Sequence, residues 1–399
     1  MERKILSYFL HGSLSSGSTL SSLYFDQSLY NWACKRPLKF DKAQEKFKYN
    51  PNPCFVWGLT EFILIPIIIL ALMQFIFSEN FHSQEATRIL FTSLLYAAAG
   101  TFILTGLGVS IGEISFGADI PPAFSRMLDF EKDLRSECLP SIFRGPSLPP
   151  SMNHLRMSFA LQNSAILHIC AGLIIPFASI YVKIDPWQVA EKVQSFHLLP
   201  ILDILTKSTI YYLVCINIAR NVSSTVHFQY IIVHIYSNIL SVLGKISKKG
   251  QNSEKFVTRY THFFIVSEEL GKVSGNVGSL LLWHALVLEV ILFFMSIRLY
   301  GYLPFIMYQV VLGMALNILV LVKILVPLFI CFYDSSALLL HEWRGVPQNS
   351  KGVRRKFRSM RPVGFKLVCG NVVLLVLEKS FKTRYFWAIL DFVITALLA

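Results

Sequence analysis

Seven apolar runs of membrane-spanning length divide this chain of 399 residues, and they constrain its fold more than any motif does. A helix needs about 20 apolar residues to cross the hydrocarbon core of a bilayer. Only 15% of the residues are Asp, Glu, Lys or Arg, fewer than in an ordinary soluble domain. The sequence therefore predicts an all-α membrane protein with seven transmembrane helices. The runs cover residues 54–77, 89–111, 159–182, 198–219, 280–297, 302–333 and 381–399.

Basic residues indicate which side of the membrane each connecting segment occupies. Of the 37 Lys and Arg residues, 31 fall in four segments that seven spans place on one side, and 4 fall on the other side. Cytoplasmic loops carry an excess of Lys and Arg. We therefore expect an inverted topology, with a cytoplasmic amino terminus and an extracellular carboxy terminus. The four basic segments are residues 1–52, 112–157, 220–278 and 334–384.

The spans divide the first 333 residues of the chain into two regions. Residues 1–52 form a cytoplasmic segment, and residues 53–333 carry the first six transmembrane helices. Two cytoplasmic stretches in the second region are long, 112–157 and 220–278. Apolar residues recur at helical spacing through 220–278. We expect the membrane helices to continue into the cytoplasm as packed helical extensions.

A short motif lies in the last helix. Tyr385 is followed by five apolar residues and then by Asp391 and Phe392. This pattern resembles the end of insect gustatory receptors, a branch of the gustatory and odorant receptor family, which reads Thr-Tyr, five apolar residues, Gln-Phe. Arg384 stands here in the place of the Thr, and Asp391 in the place of the Gln. The preceding residues 357–380 resemble the cytoplasmic segment that comes before the pore helix in that family.

The resemblance implies a function as well as a fold. Receptors of this family are multi-pass proteins of the cell membrane that assemble as homo- or hetero-tetrameric, ligand-gated cation channels. A small organic tastant or odorant would bind in the outer half of the helix bundle. Residues 334–380 would form a cytoplasmic basic segment and an anchor helix that holds the subunits together. Residues 381–399 would form the terminal, pore-lining transmembrane helix.

The predicted pore residues lie on the terminal helix. Ala388 and Asp391 are three residues apart and share a face, with Tyr385 and Thr395 near it. By resemblance, the positions of Ala388 and Asp391 line the gate. Four Asp391 carboxylates would form an acidic ring, which favours cations. The alternative is that Asp391 pairs with a basic residue on a neighbouring helix.

The predicted ligand site draws on the outer halves of four spans. An apolar, aromatic cavity with a few polar anchors is what a small organic ligand needs, and the family's pocket lies in this region. Asp203 and Lys207 are four residues apart, so they form either a polar floor for the ligand or a self-neutralised pair. Each aromatic residue taken alone is better explained by packing or by a place in the interfacial belt than by ligand contact. The set is Phe91, Tyr96, Phe177, Tyr181, Asp203, Lys207, Tyr211, Phe305 and Tyr308.

Two further groups of ionisable residues have open interpretations. His284 and Glu289 lie in the fifth span, where structural pairing is a better explanation than a proton relay. The run from Arg354 to Arg361 either binds anionic lipid or only fixes the orientation of the chain.

Several other classes of protein fit the sequence less well. A metabotropic, G-protein-coupled receptor requires an external amino terminus, and a transporter often shows internal repeats, which this chain lacks. No nucleophile elbow, phosphate loop, zinc-protease motif or dinucleotide fingerprint occurs, so we expect no enzyme activity and no cofactor. The seven Cys residues show no metal-binding spacing, so no metal site is predicted. The positive charge sits in the loops of a membrane protein, so we expect no nucleic-acid partner.

Overall fold

The computed structural model of the chain describes residues 38–41, 46–50, 86–138, 200–248, 253–302, 305–345 and 351–398. These residues form seven α-helices and two antiparallel β-hairpins. In chain order the elements are β1 (Leu38–Asp41), β2 (Lys46–Tyr49), α1 (Ala86–Phe116), α2 (Ile120–Cys138), α3 (Pro200–Lys248), α4 (Ser253–Arg298), α5 (Phe305–Gly345), α6 (Lys351–Ser359), β3 (Lys366–Cys369), β4 (Val372–Val376) and α7 (Lys379–Leu398).

Three of the described helical segments are long and apolar enough to cross a membrane. They are Ile216–Lys245 of α3, the whole of α4, and Tyr308–Gly345 of α5. A fourth span results if α1 and α2, which are bent by 75° at their junction, are counted as one. The terminal helix α7 is not among them, because it carries four charged side chains. The predicted spans 54–77 and 159–182 lie outside the described residues.

The three longest helices continue far beyond the thickness of a bilayer. Helices α3, α4 and α5 contain 49, 46 and 41 residues. At about 1.5 Å per residue they are about 74, 69 and 62 Å long, whereas the hydrocarbon core is about 30 Å thick. The described residues of 220–278 lie in α3 and α4, so this part of the chain is helical, as its apolar spacing predicts. Helix α5 continues past the predicted boundary at 333, and Leu339, Leu340 and Trp343 extend its buried face.

Parts of the three long helices share one hydrophobic core, here called the extension core, with α2 and α6. These parts are residues 228–243 of α3, 256–273 of α4 and 332–343 of α5. Aromatic side chains stack at the far end of this core: the ring centroids of Phe256 and Trp343 are 3.8 Å apart, and those of Trp343 and Phe357 are 5.5 Å apart. The Tyr260 hydroxyl, on α4, lies 2.8 Å from the Ser336 hydroxyl on α5. Ser336 also accepts a hydrogen bond from the backbone N–H of Val363, which positions the chain that enters β3.

The first hairpin, β1–β2, lies against the extension core. Phe47 of β2 is buried, and its ring packs edge-on against Phe124 of α2 at 4.8 Å and Phe228 of α3 at 5.5 Å. The fold is therefore mostly helical rather than all-α. Phe47 and its cross-strand partner Phe40 flank a short connection, a pattern that favours strands.

The second hairpin corrects the predicted anchor helix. Within residues 363–377 the chain forms β3 and β4 instead, with Cys369 paired to Val372. Gly370, in the turn, has a φ of 61°, a left-handed conformation that glycine adopts without strain. A Gly-Asn turn between two Val-rich runs is a hairpin signal. The apolar composition of this stretch is compatible with both structures, and the turn decides between them.

Two glycines of α4 allow this hairpin to approach the helix closely. A Cβ atom at Gly275 would lie 2.6 Å from the carbonyl oxygen of Lys366, and one at Gly278 would lie 2.7 Å from the ring of Phe365. Asn276, between them, accepts a hydrogen bond of 2.8 Å from the backbone N–H of Gly370. Lys366 also pairs with Glu268. The hairpin is thus attached to α4 at both its base and its turn.

Candidate functional site

The terminal helix α7 packs on α4 through a single stripe of side chains. Tyr385, Ile389 and Val393 are the buried residues of α7, and they follow one another at four-residue spacing. The Tyr385 hydroxyl donates a hydrogen bond of 3.3 Å to the carbonyl oxygen of Leu282 on α4. The described part of the protein therefore holds α7 by one face and leaves the other faces uncovered.

Asp391 lies on the uncovered side of α7. At about 100° per residue, it lies about 160° around the helix from the centre of the buried stripe. Its side chain is exposed, and Thr395 beside it is also exposed, while Ala388 is half-buried. Asp391 makes no ion pair within the described residues, which disfavours the pairing alternative.

Tyr385 does not share the face of the other predicted pore residues. Six residues separate it from Asp391, which corresponds to about 120° around the helix. Its ring is buried against α4, and its hydroxyl is bonded to Leu282. Tyr385 therefore lies on the side of α7 that docks on α4, and its predicted pore role stays a prediction.

Glu289 of α4 is also buried, on the side of the bundle where Tyr385 docks. Its side chain is 0% exposed on α4, and neither carboxyl oxygen has a hydrogen-bond partner among the described residues. The described residues supply no partner for Glu289, so the expected structural pair stays a prediction. Buried acidic groups without partners are rare, because burial removes their hydration without replacing it.

The predicted ligand residues are only partly described. Phe177 and Tyr181 lie outside the described residues. Phe305, the first residue of α5, is 75% exposed, and Tyr308 packs edge-on against Tyr300 with ring centroids 5.5 Å apart. The remaining five lie on helices whose side chains are not described at these positions: Phe91 and Tyr96 on α1, and Asp203, Lys207 and Tyr211 on α3.

A cavity that the sequence did not predict lies between α1, α3, α4 and α5. Its volume, counted as space for the centres of water-sized molecules, is about 80 Å³. Among the described residues the wall is apolar apart from a few uncharged or imidazole groups, and none of them is Asp, Glu, Lys or Arg. The polar members are Gln229, His284 and Asn317.

Gln229 is the most deeply buried polar residue of this cavity wall, with 1% of its side chain exposed. Its Nε2 atom donates a hydrogen bond of 2.8 Å to the carbonyl oxygen of Ser274. Its Oε1 atom is buried and has no hydrogen-bond partner among the described residues. The cavity is formed by four separate helices, so no local sequence pattern predicts it. The one signal in the sequence is Gln229, a polar residue within an apolar segment of α3.

The basic helix α6 lies beside the far end of α5. Arg344 of α5 donates hydrogen bonds to the carbonyl oxygens of Phe357, over 3.2 Å, and Met360, over 2.6 Å. The side chains of Arg354, Arg355, Lys356 and Arg358 are exposed. Both interpretations of this basic run, lipid binding and orientation of the chain, stay predictions.

The described residues contain no group of three or more His, Cys, Asp or Glu side chains arranged to hold a metal ion.

Comparison with solved structures identifies the fold. The olfactory receptor OR5 of the insect Machilis hrabei superposes with a TM-score of 0.61 at 11% identity, over 86% of this chain and 87% of that one. Its complex with eugenol gives a TM-score of 0.60 at 10% identity, over 94% and 97% of the two chains. No protein-family model and no curated protein matches the sequence. The chain therefore has an insect chemoreceptor-type fold, as the terminal motif predicts.

Proposed function

We propose that this chain is a subunit of a gustatory-type chemosensory receptor that acts as a ligand-gated cation channel in the cell membrane. The observation that carries this proposal is the position of Asp391 on the uncovered side of α7, opposite the stripe that docks on α4. A helix held by one face only is suited to line a pore with the other. The shared fold with an olfactory receptor supports the same function.

The proposed pore contains one α7 from each subunit around a central axis. Asp391 then contributes an acidic ring, with Ala388 and Thr395 on adjoining positions. Such a ring attracts cations and repels anions. A ligand that binds the open arrangement more tightly than the closed one shifts the population towards the open pore.

Assembly of the subunits is proposed to use the second hairpin. Four consecutive residues of β4, Val372 to Leu375, are apolar and exposed. An uncovered apolar strand is a feature that natural proteins usually cover with a partner. Because α7 follows β4 directly, contacts between hairpins bring the pore helices together in a homo- or hetero-tetramer.

The primary ligand is proposed to be a small organic tastant or odorant. Its site is the outer half of the helix bundle, with Asp203 and Lys207 as polar anchors among the aromatic residues of the predicted set. The complex of the olfactory receptor with eugenol supports a ligand of this size and character.

Current recording on cells that express the full chain tests the pore assignment. We expect Asp391→Asn to reduce cation selectivity, seen as a shift in the reversal potential of basal and ligand-evoked currents when external Na⁺ is replaced. The ligand panel would include eugenol and simple sugars. Glu342→Gln is the matched control, because it removes an exposed carboxylate at the far end of α5. Unchanged conductance and selectivity in Asp391→Asn would contradict the pore assignment.

Staining of tagged termini separates this proposal from a metabotropic receptor. In intact cells, an antibody should reach a tag at the carboxy terminus of such a channel but not a tag at its amino terminus. The opposite pattern would support a G-protein-coupled receptor, and both termini on one side would show that the number of spans is not seven. A transporter with the same topology would move substrate without the discrete current steps of a channel.

A further inference from the structure

We infer that the cleft between α4 and the second hairpin binds a small, water-soluble organic anion that also carries hydroxyl groups, such as a sugar phosphate. This cleft, here called the hairpin cleft, shares none of its described lining residues with the cavity in the helix bundle. Its detection requires only binding, so the test does not depend on the channel function proposed above.

The hairpin cleft lies on the half of α4 that the predicted topology places in the cytoplasm. On α4 its lining residues run from Ser267 to Ser274, and the opposite wall comes from the second hairpin and the residues that lead into it. Six charged side chains lie on α4 before Ser279, whereas Glu289 alone lies between there and Arg298. Charged side chains favour water over hydrocarbon. The ligand therefore reaches the cleft from the aqueous phase.

The hairpin cleft has room for a molecule of the size of a sugar phosphate. Counted as space for the centres of water-sized molecules, its volume is about 160 Å³, compared with about 80 Å³ for the cavity in the bundle. A space of this size holds roughly ten water molecules. Gly271 forms part of the wall, and no atom lies within 4 Å of the Cβ position that it lacks. The absence of a side chain there keeps the cleft open.

Two lysines and one glutamate give the hairpin cleft a net positive charge. Lys366 of β3 pairs with Glu268 of α4, while Lys272, one helical turn after Glu268, makes no ion pair within the described residues. An ammonium group has three donors, so Lys366 keeps two for a ligand after it pairs with Glu268. Hydrogen bonds from ammonium groups to phosphate or carboxylate are stronger than those between neutral groups. The two lysines therefore favour an anionic head group.

Glu268 and Asn371 favour hydroxyl groups on the rest of the ligand. The Oε1 atom of Glu268 accepts a hydrogen bond from Lys366, and its Oε2 atom makes none within the described part of the chain. A carboxylate only accepts hydrogen bonds, so Oε2 attracts a ligand hydroxyl and repels a second anionic oxygen. Asn371, in the hairpin turn, adds an amide that both donates and accepts. A hydroxylated anion therefore fits better than a bare anion or a neutral sugar.

A ligand in the hairpin cleft links two elements that lead to the terminal helix. Lys272 belongs to α4 and Lys366 to β3, so an anion that binds both lysines connects the helix to the hairpin. Strand β4 ends at Val376, and α7 begins at Lys379. We therefore expect the bound anion to stabilise the attachment of the segment that continues into α7.

Thermal unfolding and titration calorimetry of the purified full-length protein in phosphatidylcholine nanodiscs test the inference. The probes are glucose 6-phosphate and gluconate, which carry a phosphate or a carboxylate head group. Glucose lacks the charge, and inorganic phosphate lacks the carbon-bound hydroxyl groups. We expect a probe at 100 times its Kd to raise the unfolding temperature by about 2–5 °C. Glucose and inorganic phosphate are expected to bind at least about tenfold more weakly.

Four variants locate the site. Lys272→Gln removes the unpaired ammonium group, and we expect it to weaken binding at least about tenfold. Lys272→Arg keeps the charge and is expected to keep most of the binding. Gly271→Leu adds a side chain at an open position of the wall, and we expect a folded protein with weakened binding. Lys132→Gln removes an exposed lysine of α2 outside the cleft and is expected to leave binding unchanged.

Several outcomes would overturn the inference. A folded protein that shows neither binding heat nor a temperature shift with either probe would leave the cleft without this ligand. Equal affinity for glucose would show that the charge is not recognised. Unchanged binding in both Lys272→Gln and Gly271→Leu would place the site elsewhere. Stabilisation that appears only when the nanodiscs contain phosphatidic acid would mean that a lipid head group, rather than a soluble anion, occupies the cleft.

Discussion

The Tyr385 hydroxyl donates a hydrogen bond of 3.3 Å to the carbonyl oxygen of Leu282, and this bond links the terminal helix to one wall of the internal cavity. The two residues are 103 positions apart in the sequence. The contact therefore joins the proposed pore helix to a distant part of the chain, within one hydrophobic cluster that contains both residues.

Replacement of Tyr385 by Phe isolates the contribution of this hydrogen bond. The ring remains in place, so we expect the free energy of unfolding to fall by about 1 kcal/mol, the usual net value of one hydrogen bond. Thermal unfolding of the purified protein measures the change. Tyr300→Phe is the control, because Tyr300 is exposed and its variant is expected to unfold at the wild-type temperature. Equal stability of the two variants would mean that the Tyr385 bond is not formed.

Replacement of Glu289 by Leu tests the cost of a buried carboxyl group. No partner compensates Glu289 among the described residues, so we expect the variant to be more stable by about 1–3 kcal/mol. Glu269→Leu is the control: Glu269 is exposed and pairs with Arg126 at 2.9 Å, and its removal is expected to cost less than about 1 kcal/mol. A loss of stability in Glu289→Leu would reveal a partner in the assembled protein.

Replacement of Gly275 by Ala tests the close approach of the second hairpin to α4. The new Cβ would lie 2.6 Å from the Lys366 carbonyl oxygen, so we expect the protein to lose about 1–3 kcal/mol of stability. Gly271, one turn earlier, has nothing within 4 Å of its Cβ position. Gly271→Ala is therefore expected to gain about 0.5–1 kcal/mol, because alanine favours the helix. Opposite signs of the two changes in a thermal unfolding experiment would support the docked hairpin, and a stabilising Gly275→Ala would contradict it.

Charged substitutions in β4 test the proposed contact between subunits. Val372→Lys and Leu374→Lys together place two like charges on the exposed strand of each copy, and we expect the assembly to dissociate into smaller species. Light scattering on the detergent-solubilised protein measures the mass. Leu338→Lys is the control, because Leu338 is an exposed apolar residue of α5, outside β4. If the double variant kept the wild-type mass, the subunits would have to associate through a surface other than β4.

The helices were predictable where the apolar pattern was long and regular. The described residues between 220 and 278 show this, since their apolar spacing matches helices α3 and α4, and on α4 the buried positions recur at helical spacing. Residues 363–377 show the limit: apolar content alone favoured a helix, whereas Gly370 and the Val residues around it favour a hairpin. The amino-terminal strands were also missed, because four-residue strands carry too short a pattern.

The candidate sites were less predictable than the helices, because they depend on how helices align with one another. The spacing of Ala388, Asp391 and Thr395 placed them near one side of α7, but the burial of Tyr385 depends on contact with α4. Likewise, Phe102, Gln229, His284 and Asn317 come from four different helices. No local pattern relates these four positions, so the cavity became visible only in the folded chain.

The contact between the second hairpin and α4 also restricts how this sequence can evolve. Gly278 can enlarge only if the ring of Phe365 shrinks, and Gly275 can enlarge only if the backbone at Lys366 withdraws. Substitutions on the two surfaces must therefore arise as compensating pairs, while Gly271 varies independently. Among homologous chains that keep the hairpin, we expect residues 278 and 365 to covary in size.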